Sequence, residues 1–329
     1  MFSPITERKE YFMQIDYKQA AEIIRSCDNV HILTHQSPDG DTLGSGFALY
    51  FALRAMNKRA AVICPDGIIQ RYRFICQGYE EEETFEPECV IAVDIADPGL
   101  MGEVQQKYEN IVDLCIDHHI SNTMYAKKTL VNPNASAACE VMYHLFSELG
   151  TKIDDNIARC LYTGIATDTG CFKYSNTTPS AHIIAAEMIG YNIDFATINR
   201  EMFDIKSKER LYLEQHIVDH METYHNEKCA VLCITEDLCT RLGVDMEELD
   251  GVAGLPLQIQ GMEVAVTMKE KKPGVYKISM RSAGKINVSR ICQQLGGGGH
   301  VNAAGCLVTG GLDDAKAQIV EVVGKALGE

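Results

Sequence analysis

The stretch Asn29-Val-His-Ile-Leu-Thr-His-Gln-Ser-Pro-Asp-Gly-Asp41 decides the fold. Its first half, Asn29 to His35, reads as a strand. From Thr42 to Asn57 the pattern changes to that of a helix, with Leu43, Phe47, Tyr50 and Phe51 on one face. Between the two lies a turn that carries an imidazole and two carboxylates. The same alternation continues along the chain. Arg59 to Cys64, Cys89 to Ile95 and Ile111 to Ile116 read as further strands, apolar almost throughout. Ala138 to Leu149 reads as a helix closed by Gly150, and Thr178-Pro179 opens another that Gly190 closes. Continuous apolar strands separated by helices predict an α/β fold whose mostly parallel sheet is covered by helices on both faces.

The pattern changes near residue 194. The stretch 194–225 reads as a charged helical linker between a catalytic domain, 1–193, and a smaller α+β domain, 226–329. In the latter, Cys229 to Ile234, Glu263 to Lys269 and Val275 to Arg281 are strand candidates. Asn287 caps a helix bearing Val288, Ile291 and Leu295.

Composition narrows the function. The chain has 329 residues, 46% apolar and 23% charged, and a formal net charge of −16. That is the composition of a globular protein. Proteins that track long nucleic acid usually present a basic face, so a nucleic-acid substrate here is expected to be short, or gripped locally. No apolar run is long enough to cross a membrane, and the N-terminus has no signal-peptide core. The 13 cysteines are scattered and odd in number, which suits free thiols in a reducing compartment. The expected location is cytoplasmic, without a membrane partner.

Four clusters carry chemistry: His35, Asp39 and Asp41; Asp94 with Asp97; Asp117-His118-His119; and Asp168. The first three end predicted strands. In an open parallel sheet the carboxyl ends of the strands share one edge, where ligands bind. Asp168 ends an apolar helical segment and is able to join them from the side. Each cluster alone has a bland reading: Asp39-Gly-Asp41 as a solvated turn, the His pair as polar packing, Asp94 as a helix cap. Three of them on successive strand ends read together as a site. Several carboxylates do not stay ionised together without a counter-charge. Two divalent cations about 3.5–4 Å apart supply one, and their chemistry is in-line attack of hydroxide on phosphorus. Mixed imidazole and carboxylate ligands suit manganese, iron or zinc, the carboxylate majority favours manganese, and the absence of cysteine speaks against a closed structural zinc site.

At these residues the sequence resembles the DHH phosphoesterase superfamily. Asp117-His118-His119 is the motif behind its name, and His35-x-x-x-Asp39-x-Asp41, Asp94 and Asp168 are similar to its other three motifs, in order. The segment from Thr167 to Pro179 and Gly296-Gly-Gly-Gly-His300-Val-Asn-Ala-Ala-Gly305 resemble the NrnA-type subfamily and the DHH-associated C-terminal domain. The resemblance implies that His35, Asp39 and Asp94 hold one metal, and that Asp41, Asp94, His118 and Asp168 hold the other. It implies that Asp117 orients a ligating imidazole, that His119 faces the substrate phosphate, and that Asn122 is a further phosphate contact. The implied reaction is metal-dependent hydrolysis of short oligoribonucleotides and of the 3′-phosphate of adenosine 3′,5′-bisphosphate (pAp). Lys173 stands where many relatives carry Arg, which keeps the charge and loses the bidentate fork.

In the second domain Gly297, Gly298 and Gly299 permit close backbone approach to a phosphate before His300. Arg281 is the expected phosphate clamp, with Lys285 and Arg290 close in sequence. His216 and His220 share a helix face, yet no companion motif supports a metal there. Other activities keep the same centre: hydrolysis of cyclic di-AMP or its linear product pApA, pyrophosphatase, or RecJ-like exonuclease. A non-catalytic nucleotide-binding protein is the alternative from another class. A homodimer is compatible with the sequence.

Overall fold

The computed structural model describes residues 13–80, 84–244, 249 and 251–328; the side chain of His300 lies outside the described residues. The chain divides into two compact units between Ile205 and Lys206.

In the first unit the elements run β1 (Met13–Gln14), α1 (Tyr17–Ser26), β2 (Val30–Leu33), α2 (Gly40–Ala55), β3 (Ala60–Ile63), β4 (Cys89–Val93) and α3 (Gln105–Tyr108). They continue with β5 (Leu114–Asp117), β6 (Lys128–Val131), α4 (Ala138–Leu149), α5 (Asp155–Asp168), α6 (Pro179–Ile189) and α7 (Phe195–Asn199). The sheet has the order β1-β6-β5-β4-β2-β3, and every pair in it is parallel. Side chains alternate between its faces, as the pleat requires. Val30, Ile32, Ile91, Val93, Leu114 and Ile116 enter one apolar cluster with the large helices. Leu33, Val90, Ala92 and Cys115 enter another, with Met101 and Tyr108. Both faces are therefore covered, as the apolar strands predict.

The order of the strands places the site. After β2 the chain adds β3 on one side and then β4 on the other. The carboxyl ends of β2 and β4 thus flank the crevice where the winding reverses. Helix α2 starts in that crevice, and it is buried on every side from Gly40 to Leu53. The one-faced pattern of Leu43, Phe47, Tyr50 and Phe51 understates this. Thr42, Ser45 and the small residues between them are also enclosed, because α2 lies between the sheet and α5.

In the second unit the elements are α8 (Lys208–His220), β7 (Glu222–Tyr224), β8 (Cys229–Ile234), α9 (Glu236–Leu242), β9 (Val264–Lys272) and β10 (Val275–Ser282). These are followed by α10 (Val288–Gln294), β11 (Gly298–His300), β12 (Ala303–Thr309) and α11 (Leu312–Leu327). The sheet runs β11-β12-β10-β9-β8-β7 and is antiparallel except between β8 and β9. Ile291, Ile319 and Val323 pack on one face, against Val264, Met268 and Ile278. Leu213, Ile217 and Leu238 pack with Leu232 and Ile234 in a second cluster. The charged stretch 194–225 is shared between the units: Ile198 and Met202 belong to the core of the first, and Leu213 and Ile217 to that of the second. Among the described residues no helix is long and apolar enough to cross a membrane.

Candidate metal centre

His35 lies two residues past the end of β2. Its Nδ1 is 2.8 Å from the carbonyl oxygen of Gln36, which turns Nε2 toward the crevice. Asp39 is the N-cap of α2. One of its carboxylate oxygens accepts from the N–H groups of Asp41 and Thr42, at 2.9 and 3.0 Å. The Thr42 hydroxyl joins the two strand ends, accepting from the His35 N–H and donating to the Val93 carbonyl, both at 3.3 Å. Asp94 follows β4 directly and has a left-handed backbone, φ 58°. A non-glycine residue held there is strained, a condition that recurs at functional sites.

The side chains converge on Asp94. The Nε2 atom of His35 is 3.6 Å from one carboxylate oxygen of Asp94 and 3.7 Å from Asp39. The Nε2 atom of His118 is 3.6 Å from the other Asp94 oxygen, 3.7 Å from Asp168 and 3.9 Å from Asp41. Among the described residues, three groups of donor atoms lie close enough to hold a cation: His35, Asp39 and Asp94; Asp41, His118 and Asp168; and Asp94, His118 and His119. Within each group the atoms lie within 4.8 Å of one another. Asp94 Oδ1 is buried and has no hydrogen-bond partner among the described residues. A buried carboxylate oxygen left in that condition is costly unless a cation meets it. The imidazole and carboxylate donors around it fit a divalent metal.

The charges respond to this crowding. Burial first, and then the neighbouring Asp41, hold the Asp94 carboxyl well above the usual carboxylate range. Burial, with Asp41 and Asp39 nearby, lifts Asp168 to about 8. Burial alone would lower the pKa of His35, but Asp39 and Asp94 outweigh it and raise the imidazole to about 11. Perturbation of this size in several adjacent groups marks a functional site.

Asp117 is fully buried, and its carboxylate serves the adjacent loop. It accepts from the N–H groups of His118 and His119 at 2.7 and 3.2 Å, and from the Nδ1 of His119 at 2.8 Å. Its other oxygen accepts from the Asn122 amide at 2.6 Å. The imidazole held by Asp117 is therefore that of His119, which the carboxylate raises to about 9. The Nδ1 of His118 instead faces the carbonyl of Ala135, at 3.3 Å. Asn122 also accepts from the Met124 N–H at 2.7 Å, so its amide is committed to the loop on both sides. Asp97 caps the turn that follows, accepting from the Gly99 N–H at 2.8 Å, and stands in none of the three donor groups.

One contact has no local signal in the sequence. The carboxylate of Asp41 accepts from the N–H groups of Ala138 and Cys139, at 2.6 and 2.9 Å. It serves the N-terminus of α4, whose own N-cap, Ala137, has no side chain for that purpose.

In the second unit Arg281 lies near the end of β10, half-buried, opposite Ala265 and Ala303. The glycine run is an edge strand as well as a loop: Gly298, Gly299 and His300 pair with Gly305, Ala304 and Ala303. Gly297 is dictated by that packing, since a Cβ there would lie 2.1 Å from the Gly305 carbonyl oxygen. His216 and His220 stack with ring centroids 4.0 Å apart, and among the described residues they belong to no metal-capable group.

Family models match a part of each unit. The DHH family N-terminal domain matches residues 29–165, and the DHHA1 domain matches residues 226–329. The chain is 33% identical to the bifunctional oligoribonuclease and PAP phosphatase NrnA of Thermus thermophilus, over 93% of each chain. Similarity to the cyclic-di-AMP phosphodiesterase PdeA of Listeria monocytogenes is lower, 24%, and spans 98% of this chain but 51% of that one. The crystal structure of an exopolyphosphatase-related protein from Bacteroides fragilis has the same fold, with a TM-score of 0.84 and 24% identity over the whole of both chains.

Proposed function

The chain belongs to the DHH phosphoesterase family, among relatives of the NrnA type, and on that premise we propose that it hydrolyses short oligoribonucleotides and the 3′-phosphate of pAp with two bound manganese ions. The observation that carries the metal reading is Asp94: strained, buried, flanked by two imidazoles, and with one oxygen that has no hydrogen bond. His35, Asp39 and Asp94 would hold one ion, and Asp41, His118 and Asp168, sharing Asp94, the other. Divalent cations in such a site supply Lewis acidity toward phosphoryl oxygens and acidify water.

The protein's own groups do the rest. Asp117 holds the proton of His119 on Nδ1, and its carboxylate favours the charged ring. The Nε2–H then remains to donate to a phosphoryl oxygen and to steady the charge that develops there. Asp39 and Thr42 hold α2 and the two strand ends in one geometry, so the donors do not need to reorganise during turnover. Arg281, Gly297, Gly298, Gly299 and His300 are assigned to the nucleotide itself. Arg281→Ala is expected to raise KM for a diribonucleotide about tenfold, the effect of one charge-assisted hydrogen bond, with kcat within threefold. An unchanged KM would remove Arg281 from the site.

The test of the activity is a substrate panel with purified protein. It compares pAp, diribonucleotides, pApA, cyclic di-AMP and pyrophosphate, first with chelator and then with manganese. Turnover is expected only with metal and highest on pAp and the diribonucleotides. Faster turnover of cyclic di-AMP would move the protein toward the cyclic-dinucleotide enzymes, and faster turnover of pyrophosphate would overturn the substrate assignment.

A further inference from the structure

The turn 135–139, Ala-Ser-Ala-Ala-Cys, has no charged side chain, yet it reaches three of the proposed ligands. The carbonyl of Ala135 faces Nδ1 of His118, at 3.3 Å. The N–H groups of Ala138 and Cys139 donate to the carboxylate of Asp41. The carbonyl of Ser136 accepts from the amide of Asn176, at 3.1 Å. That same amide donates to the carbonyl of Asp168 at 3.1 Å and to its carboxylate at 3.4 Å. Asp41, His118 and Asp168 are together one of the three donor groups. The turn is itself pinned by a buried acid that catalysis does not use: Glu140 accepts from the Ser136 N–H at 2.7 Å.

The side chains of His35 and Asp39 rest on other contacts, the Gln36 carbonyl and the N–H groups of Asp41 and Thr42, and Asp94 is common to both groups. We propose that the turn 135–139 and Asn176 form a bracket that positions the Asp41, His118 and Asp168 group alone, with Asn176 as the positioning residue for Asp168. Outer partners of this kind orient ligands, and their loss typically weakens metal affinity about 10–100-fold. Here the loss falls on one ion of two, because the contacts divide between the two groups.

The inference rests on the metal-centre reading, and the experiment separates the two. Metal-free full-length protein is titrated with Mn2+ alone, and free Mn2+ is followed by its electron paramagnetic resonance signal. The parent is expected to bind two ions. Asn176→Ala is expected to weaken one of them at least tenfold and to leave the other within twofold. In turnover, the Mn2+ concentration for half-maximal rate rises by a similar factor, with KM for pAp within threefold. Asn176→Leu keeps the side-chain volume without the donors, and it gives the same reading should the alanine variant not fold. Two ions weakened equally in the variants, or neither weakened, would overturn the bracket. A parent that binds fewer than two ions would overturn the metal-centre reading instead, and the inference with it.

Discussion

Asp94 is the residue on which most depends, and its environment sets stability against function. Burial and Asp41 penalise its charge, so the ionised form of Asp94 is disfavoured in metal-free protein. Asp94→Asn removes that charge and keeps the shape. Turnover is expected to fall by at least about 100-fold, above the 10–100-fold typical of residues that merely support a ligand. The thermal midpoint of the metal-free variant is expected to equal or exceed that of the parent, measured by circular dichroism after chelation. A lower midpoint would mean that Asp94 serves the fold. Protons compete for the same groups. Asp168 is raised from 3.8 to about 8, so in metal-free protein its contribution to stability is present at low pH and is lost as pH rises between those values. Metal binding has the opposite sign, because Asp168 must lose its proton and His35, raised to about 11, must lose one as well. From pH 8 to pH 6 the apparent affinity for Mn2+ is expected to fall at least about tenfold, with proton release visible as a buffer-dependent heat in calorimetry. An affinity flat over that range would contradict the protonation states described.

Among the elements, α2 is packed closely against α5. A Cβ at Gly40 would lie 2.4 Å from the hydroxyl oxygen of Thr167 on α5, and Gly40 sits between Asp39 and Asp41. Gly40→Ala must therefore move a helix that carries two proposed ligands. It is expected to destabilise the protein by about 1–3 kcal/mol, the usual cost of overpacking, and to reduce turnover as well. Thr167→Ala removes the two nearest atoms and should restore part of both losses; failure to restore either would place the cause elsewhere. The strand-end clusters were legible because β2, β4 and β5 are apolar runs that stop at His, Asp or Asp-His-His, and a parallel sheet aligns such ends. The carboxylate of Asp41 on the N-terminus of α4 was not legible, since the partners are 97 and 98 residues apart and a cap is read from adjacent residues. Strands β1 and β6 escaped for a related reason. Met13–Gln14 is too short to show a period, and Lys128–Val131 opens with a lysine and a threonine, so only Leu130 and Val131 are left as an apolar run. The resemblance implied an imidazole partner for Asp117 without saying which, and the hydrogen bond to His119 Nδ1 follows from the turn that also brings Asn122 to the carboxylate.

At the scale of the whole molecule, the two units have separate cores. The clusters around Phe47 and Cys115 belong to residues before Ile205, and those around Ile278 and Leu232 to residues after it. All six proposed ligands, from His35 to Asp168, lie in the first. A ligand stabilises only the cooperative unit that binds it, by about 2.7 kcal/mol when present at 100 times its dissociation constant. For a unit of roughly 200 residues that is a shift of about 5–10 °C. Scanning calorimetry of metal-free protein should therefore resolve two transitions, of which Mn2+ raises one by about that amount and leaves the other in place. Asp94→Asn should abolish the shift without altering the transition that manganese does not move. A single transition that rises as a whole would show that residues on both sides of Ile205 unfold together, and that the second unit shares the stabilisation of the metal centre despite its own core.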